Sequence, residues 1–173
     1  MQQAGIELFT ADALEASLAE LGTLLKACVE DGAGIGFVLP LSQEKAETFW
    51  RKQAPDLRSG SSHLLVARHA GRIVGTVMLQ LAEKDNGRHR AEVAKLMVHP
   101  DARRQGIARM LLSKAEALAL ELDRSLLTLD TVTGDTAEGL YQRSGYHRVG
   151  VIPKFAVSTN GGWDATTIFY KQL

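Results

Sequence analysis

Three arginines surround one glycine in this chain: Arg103, Arg104 and Arg109 flank Gly106, with Gln105 beside it. Downstream, apolar residues fall at Ile107, Leu111, Ala115, Leu118 and Leu122, the three- and four-residue steps of one helix face. The helix therefore starts on cations. Its dipole and its free first-turn N–H groups favour anions, and an exposed cation there costs about 0.3–1 kcal/mol. No Ser, Thr, Asp or Asn stands at the start to cap those groups. A phosphate removes both costs, because N–H groups, dipole and guanidiniums then point at one charge. Gly106 places no Cβ in its path. A solvated loop that is merely basic accounts for the same residues, and local chemistry leaves the two readings open.

The elements that must hold this loop follow from pattern. Glu92 to Val98 reads as a buried strand, stopped by Pro100. Leu126 to Asp130 reads as the next strand after the Gly106 helix. Only strands joined by a helix can be parallel neighbours, which singles out this pair. Glu92 starts the first and Asp130 ends the second among apolar residues. A carboxylate at a strand end beside a cleft can bind a substrate ammonium or take its proton. A salt bridge, to Arg90 or Lys95 for example, or a cap is the alternative. Asp135 is placed to N-cap a short helix over 135–143 that Gly145 ends. Tyr141 lies on that helix, where a phenol is either a proton donor or an amphipathic cap on the core.

The remaining chain predicts a first strand at Ile6, Leu8 and Phe9. One helix, capped by Thr10 or Asp12, carries Leu14, Leu18, Leu21, Leu25 and Val29. A loop over Gly34, Ile35, Gly36 and Phe37 follows. A helix from Ser42 runs through Trp50 and breaks near Pro55. His63 to Arg68 and Ile73 to Leu81 read as a half-buried antiparallel hairpin. Tyr146 to Val151 and Ala165 to Tyr170 are the last strands, around an Asn160-Gly161-Gly162 loop. The 173 residues suit one domain spanning 1–173, with no repeat.

Composition excludes several classes. A formal net charge of zero argues against a general nucleic-acid binder, so the basic cluster is local. One cysteine, Cys28, rules out a disulfide framework and reads as a core residue. The five histidines show no ligand pattern, so no metal is expected. No apolar run reaches a membrane span, and the Met-Gln-Gln-Ala-Gly start carries no signal core, so a cytoplasmic location is expected.

Arg103-Arg104-Gln105-Gly106-Ile107-Ala108 resembles the Q/R-x-x-G-x-G/A signature of the GNAT superfamily of N-acetyltransferases. Ala137 and Leu140-Tyr141-Gln142-Arg143-Ser144-Gly145-Tyr146 are similar to that family's second hallmark. The segments Glu92 to Val98, Leu129-Asp130-Thr131 and Gly34 to Phe37 look like its tabtoxin-resistance branch. The resemblance implies an α/β (α+β) fold: a mixed, mostly antiparallel sheet of about seven strands, helices on both faces, and one parallel pair splayed for coenzyme A. It implies that the backbone of Leu96, Met97 and Val98 bonds the pantetheine arm. Arg103, Arg104, Gln105, Gly106, Ile107, Ala108 and Arg109 would hold the diphosphate. Tyr141 would be the acid toward the leaving thiolate, Glu92 or Asp130 the proton acceptor, and Gly34, Ile35, Gly36 and Phe37 the acceptor-side lining. One departure stands out: Gly134 occupies the place of an asparagine that bonds the arm in many members, with Thr133 or Asp135 as replacements.

The function expected is acetyl transfer from acetyl-CoA to a small-molecule amine, with a tabtoxin-like antimetabolite or antibiotic as the finer expectation. Two tryptophans and the Gly34 loop are expected to narrow the cleft. A protein Nα- or lysine acetyltransferase is the second enzyme reading, and a non-catalytic acyl-CoA-binding regulatory module is a third. Partners are the amine alone, without nucleic acid or membrane. The chain is expected to be a monomer or homodimer, with Trp163 and Phe169 as candidate contact aromatics.

Overall fold

Thr10 opens the helical part of the chain by accepting the N–H of Ala13 at 3.1 Å. The computed structural model describes residues 4–173. A strand β1 (Gly5–Phe9) precedes helices α1 (Ala11–Ala16), α2 (Leu18–Glu30), α3 (Gln43–Arg51) and α4 (Ala54–Ser59). Strands β2 (Ser62–His69), β3 (Arg72–Leu81) and β4 (Arg90–Val98) follow, then α5 (Ile107–Glu121), β5 (Leu126–Val132), α6 (Thr136–Arg143), β6 (His147–Val157) and β7 (Trp163–Gln172). The seven strands form one sheet in the order β1-β2-β3-β4-β5-β7-β6. Every neighbouring pair is antiparallel except β4 and β5, the pair that α5 connects.

Each face of the sheet carries helices. On one face α5 buries Leu111, Leu112, Ala115 and Ala119 against Leu65, Val77, Leu79 and Leu127. On the other, Leu14, Leu21, Leu25 and Trp50 pack with Leu64, Val66 and Met78. Successive strand residues point to opposite faces, so β2 and β3 feed both cores at once. The sequence expectation of a half-buried hairpin is corrected accordingly: Leu64 through Ala67 and Ile73 through Leu79 are all buried. The single helix expected over Leu14 to Val29 is two, divided at Ser17, whose ψ of 14° leaves helical geometry. Ser42 caps α3 through Lys45 N–H at 3.1 Å, and Pro55 starts α4 instead of only ending α3.

Two expectations about aromatics fail. Trp50 is fully buried and its indole donates to Leu21 O at 2.9 Å, so it anchors α3 on α2 and lines no cleft. Phe169 is 0% exposed beside Tyr141, and of the two contact candidates only Trp163 faces solvent.

Candidate active site

β4 bends in its middle. Thr76 pairs with Met97 but Met78 pairs with Ala94, so an extra residue sits in β4 between them. Lys95 there takes φ +51°, a left-handed conformation rare for a residue with a Cβ. Thr76 Oγ1 stabilises the bulge by donating to Lys95 O at 2.9 Å. The bend carries β4 away from β5. Their parallel register covers Arg90, Ala91 and Glu92 against Leu126, Leu127 and Thr128, and then stops. From Val93 to Val98 the strand has no partner on that side.

A cleft of about 820 Å³ fills the gap. Val93 through Val98 line it from β4, and Asp130, Thr131, Leu140 and Tyr141 from β5 and α6. Gly106 through Arg109 line it at the start of α5, and Asp31 through Ile35 after α2. Leu96, Met97, Val98, Arg103, Arg104, Gly106, Ile107, Ala108 and Arg109 therefore line one cleft with Asp130 and Tyr141. Gln105 is outside the lining.

The start of α5 has the predicted character. Gly106 is the N-cap residue at φ +78°, no side chain caps it, and no acidic residue stands in the first turn. Arg104 also takes a positive φ, 61°. The loop is thus a concavity of N–H groups beside exposed guanidiniums, which suits a diphosphate. Arg103 differs from its neighbours. Its guanidinium pairs with Asp31 at the end of α2, and its Nε donates to Val98 O at 3.2 Å. That carbonyl also accepts the Cys28 thiol at 3.5 Å. Burial pushes that thiol up to about 11, in keeping with a core residue.

At the other end of the cleft, Asp130 organises the charges. Thr166 donates its hydroxyl to Asp130 Oδ2 at 2.7 Å. Tyr141 is 6% exposed, with its ring against Tyr146 and Phe169. Burial, then the charges of Asp130 and Asp135, push the phenol well above its usual range. Glu92 is the last paired residue of the β4–β5 ladder, one residue before the cleft lining begins at Val93. Its carboxyl is raised by burial and then by the Asp130 charge. Among the described residues neither Glu92 nor Asp130 has an ion-pair partner within 4.0 Å, so neither is a structural bridge to Arg90 or Lys95.

On the acceptor-side loop, Gly34 and Ile35 line the cleft, while Phe37 packs edge-on to Phe49 with ring centroids 5.2 Å apart. Gly36 lies beside Lys95: a Cβ there would come within 3.6 Å of Lys95 Nζ. The loop is tied to the β6–β7 turn, since Leu39 N–H donates to Thr159 O at 3.1 Å and Thr159 Oγ1 to Ala33 O at 3.2 Å. Asp135 takes the N-cap position of α6 without a side-chain cap bond. Thr133 bonds Thr167 at 2.9 Å, and Gly134, between Thr133 and Asp135 in sequence, has φ +83°. Sequence reasoning missed Thr166 and Lys95. For Lys95 a signal existed, a lone cation inside the apolar run Val93 to Val98. For Thr166 nothing local marks which carboxylate its strand will face.

No group of His, Cys, Asp and Glu among the described residues could hold a metal ion. Among the described residues no helix is long and apolar enough to cross a membrane.

The model of the acetyltransferase (GNAT) family matches residues 20–146. Among solved structures, the chain is similar to a ribosomal-protein-alanine N-acetyltransferase from Brucella melitensis, with 23% identity, 98% of this chain and 99% of that one covered, and a TM-score of 0.79. It is similar to yncA of Salmonella typhimurium with its cofactor acetyl-CoA, at 18% identity, 99% and 95% coverage and TM-score 0.79. A phosphinothricin acetyltransferase from Sinorhizobium meliloti, in complex with acetyl-CoA, gives 20%, 99% and 89% coverage, and 0.78.

Proposed function

The chain belongs to the acetyltransferase (GNAT) family, whose members use acetyl-CoA, and from that premise we propose that its acceptor is a primary amine on a small molecule, attacked directly without an acyl-enzyme. The observation that carries this reading is the single cleft that joins the α5 amides at one end to Tyr141 and Asp130 at the other.

The chain's own groups divide the work. The amides of Ile107, Ala108 and Arg109, with Arg104 and Arg109, receive the diphosphate. The unpaired edge of β4 over Leu96 and Met97 offers strand-type hydrogen bonds to an extended arm with amide groups. Asp130 accepts the proton that the amine must lose, and Thr166 keeps the carboxylate aimed. Glu92, on the neighbouring strand, is the alternative acceptor, reached through water. Tyr141 gives its proton to the departing thiolate. The raised phenol keeps that proton at any neutral pH. The coenzyme supplies an activated thioester, so no nucleophilic side chain is required.

A small acceptor is favoured over a peptide by the tether between the Gly34–Phe37 loop and Thr159, which holds a roof over the acceptor end. Detoxification of an antimetabolite or antibiotic is the finer form of the proposal, supported by the similarity to the phosphinothricin enzyme. The test is a screen of amines with acetyl-CoA that detects released thiol. Tyr141→Phe should remove turnover and keep coenzyme binding. Binding without turnover of any amine by the unaltered protein would instead leave a regulatory acyl-CoA sensor.

A further inference from the structure

Lys95 is a cation in the cleft that the proposed chemistry does not use. It is on the bulge of β4 with φ +51°, a conformation that costs a residue with a Cβ about 1 kcal/mol or more. Its ammonium lies under the acceptor-side loop, next to Gly36, and 5.5 Å from the centre of the Phe49 ring. Phe49 is wedged between Phe37 and Trp50, so the ring is held in place. Among the described residues Lys95 Nζ has no carboxylate within 4.0 Å and no hydrogen-bond acceptor. Burial favours its neutral form, while the more distant charges of Asp130 and Glu92 favour the cation. A strained backbone thus holds a half-buried cation in the cleft without an anion of its own.

Such a cation is satisfied by the ligand. Resting on the acetyl-transfer reading above, we propose that Lys95 is a specificity-determining residue that binds a carboxylate on the acceptor, so that the acceptor is a small amino acid with its amine toward Asp130. The neighbours select a monoanion. One ammonium neutralises a single charge, and the more distant carboxylates of Glu92 and Asp130 disfavour a second negative charge beside it. The pair Lys95 and Asp130 is complementary to the two ends of a zwitterion.

The experiment uses the full chain, acetyl-CoA, and matched acceptors: free L-amino acids, their carboxamides and the corresponding decarboxylated amines. Coenzyme binding is measured separately by calorimetry, so a protein that fails to bind acetyl-CoA sinks the acetyl-transfer reading and not this one. The wild-type protein should prefer the free acids in kcat/KM. Lys95→Gln should lower kcat/KM on the acids by about ten- to a hundredfold, mainly through KM, with a loss at least tenfold smaller on the carboxamides. Lys95→Arg should keep part of the preference. Equal turnover of acids and carboxamides by the wild type overturns the proposal, as does an equal loss on both in Lys95→Gln. Failure to acetylate any anionic member, with coenzyme bound, overturns it too. The wild-type preference decides the matter even if a variant does not fold.

Discussion

Thr166 on β7 holds the carboxylate of Asp130 on β5 by a hydroxyl hydrogen bond of 2.7 Å, across the antiparallel pair in which Asp130 faces Ile168. The bond comes from a buried threonine, 3% exposed, to a carboxylate at the cleft wall. It fixes the direction in which the remaining lone pairs point. Thr166→Val should leave the fold intact and lower kcat by about tenfold or less, as expected for lost aim. Asp130→Asn removes the proposed proton acceptor and should cost about 10²–10⁴ in kcat. Steady-state kinetics on the two variants separates aim from chemistry. Equal effects would place Asp130 in a binding role.

The pH dependence of kcat/KM should report the proton acceptor. A raised Glu92 carboxyl loses its proton at higher pH than an ordinary glutamate. If Glu92 accepts the amine proton, activity rises as pH climbs through that raised value, and Glu92→Gln flattens the limb. The same shift has a stability sign: the folded state favours protonated Glu92, so this group's contribution is present at low pH and lost as pH rises through the folded value. An acid limb unchanged in Glu92→Gln assigns it elsewhere.

Tyr141→Phe should lower kcat by about 10²–10⁴ while the coenzyme dissociation constant stays within about twofold. Because burial and the Asp130 and Asp135 charges keep the phenol protonated, the wild type should show no falling limb from Tyr141 through neutral and moderately alkaline pH. A stopped-flow pH series on both proteins checks this.

The arginines of the α5 loop should not contribute equally. Arg104→Ala and Arg109→Ala are expected to weaken coenzyme binding by about threefold to tenfold each, and to reduce its salt dependence. Arg103→Ala should act mainly on thermal stability, because Arg103 already serves Asp31 and Val98 O. Calorimetry and melting curves distinguish the two kinds of loss.

Gly106→Val should abolish coenzyme binding in a folded protein. A Cβ at Gly106 meets nothing within 4 Å, so sterics within the protein do not forbid it. The positive φ costs about 1–2 kcal/mol, and the branched side chain projects where the proposed anion would approach. Unimpaired binding would move the phosphate site away from α5.

Much of this arrangement is readable from residue order, and the misses have physical causes. The Arg103 to Ala108 run places the α5 loop because its conflict with the helix dipole is local. Glu92 and Asp130 fall on neighbouring strands because parallel neighbours need a crossover, and α5 supplies one between β4 and β5. The break at Ser17 was not legible, since the apolar period continues through it into α2. The two-sided burial of β2 and β3 depends on helices from distant parts of the chain covering both faces. Phe169 looks like a surface aromatic in a Thr-rich strand, and only the order β5-β7-β6 puts it inside. The strain at Lys95 is equally silent, because a bulge is set by the partner strand's register.

The brevity of the β4–β5 ladder has a consequence of its own. Only three residue pairs stitch the β1–β4 half of the molecule to the β5–β7–β6 half along that seam. An extended guest lying in the opening would act as mortar, completing what the polypeptide omits. The protein is then a vault whose keystone is borrowed, and its rigidity in a cell would track the supply of the very molecule it consumes.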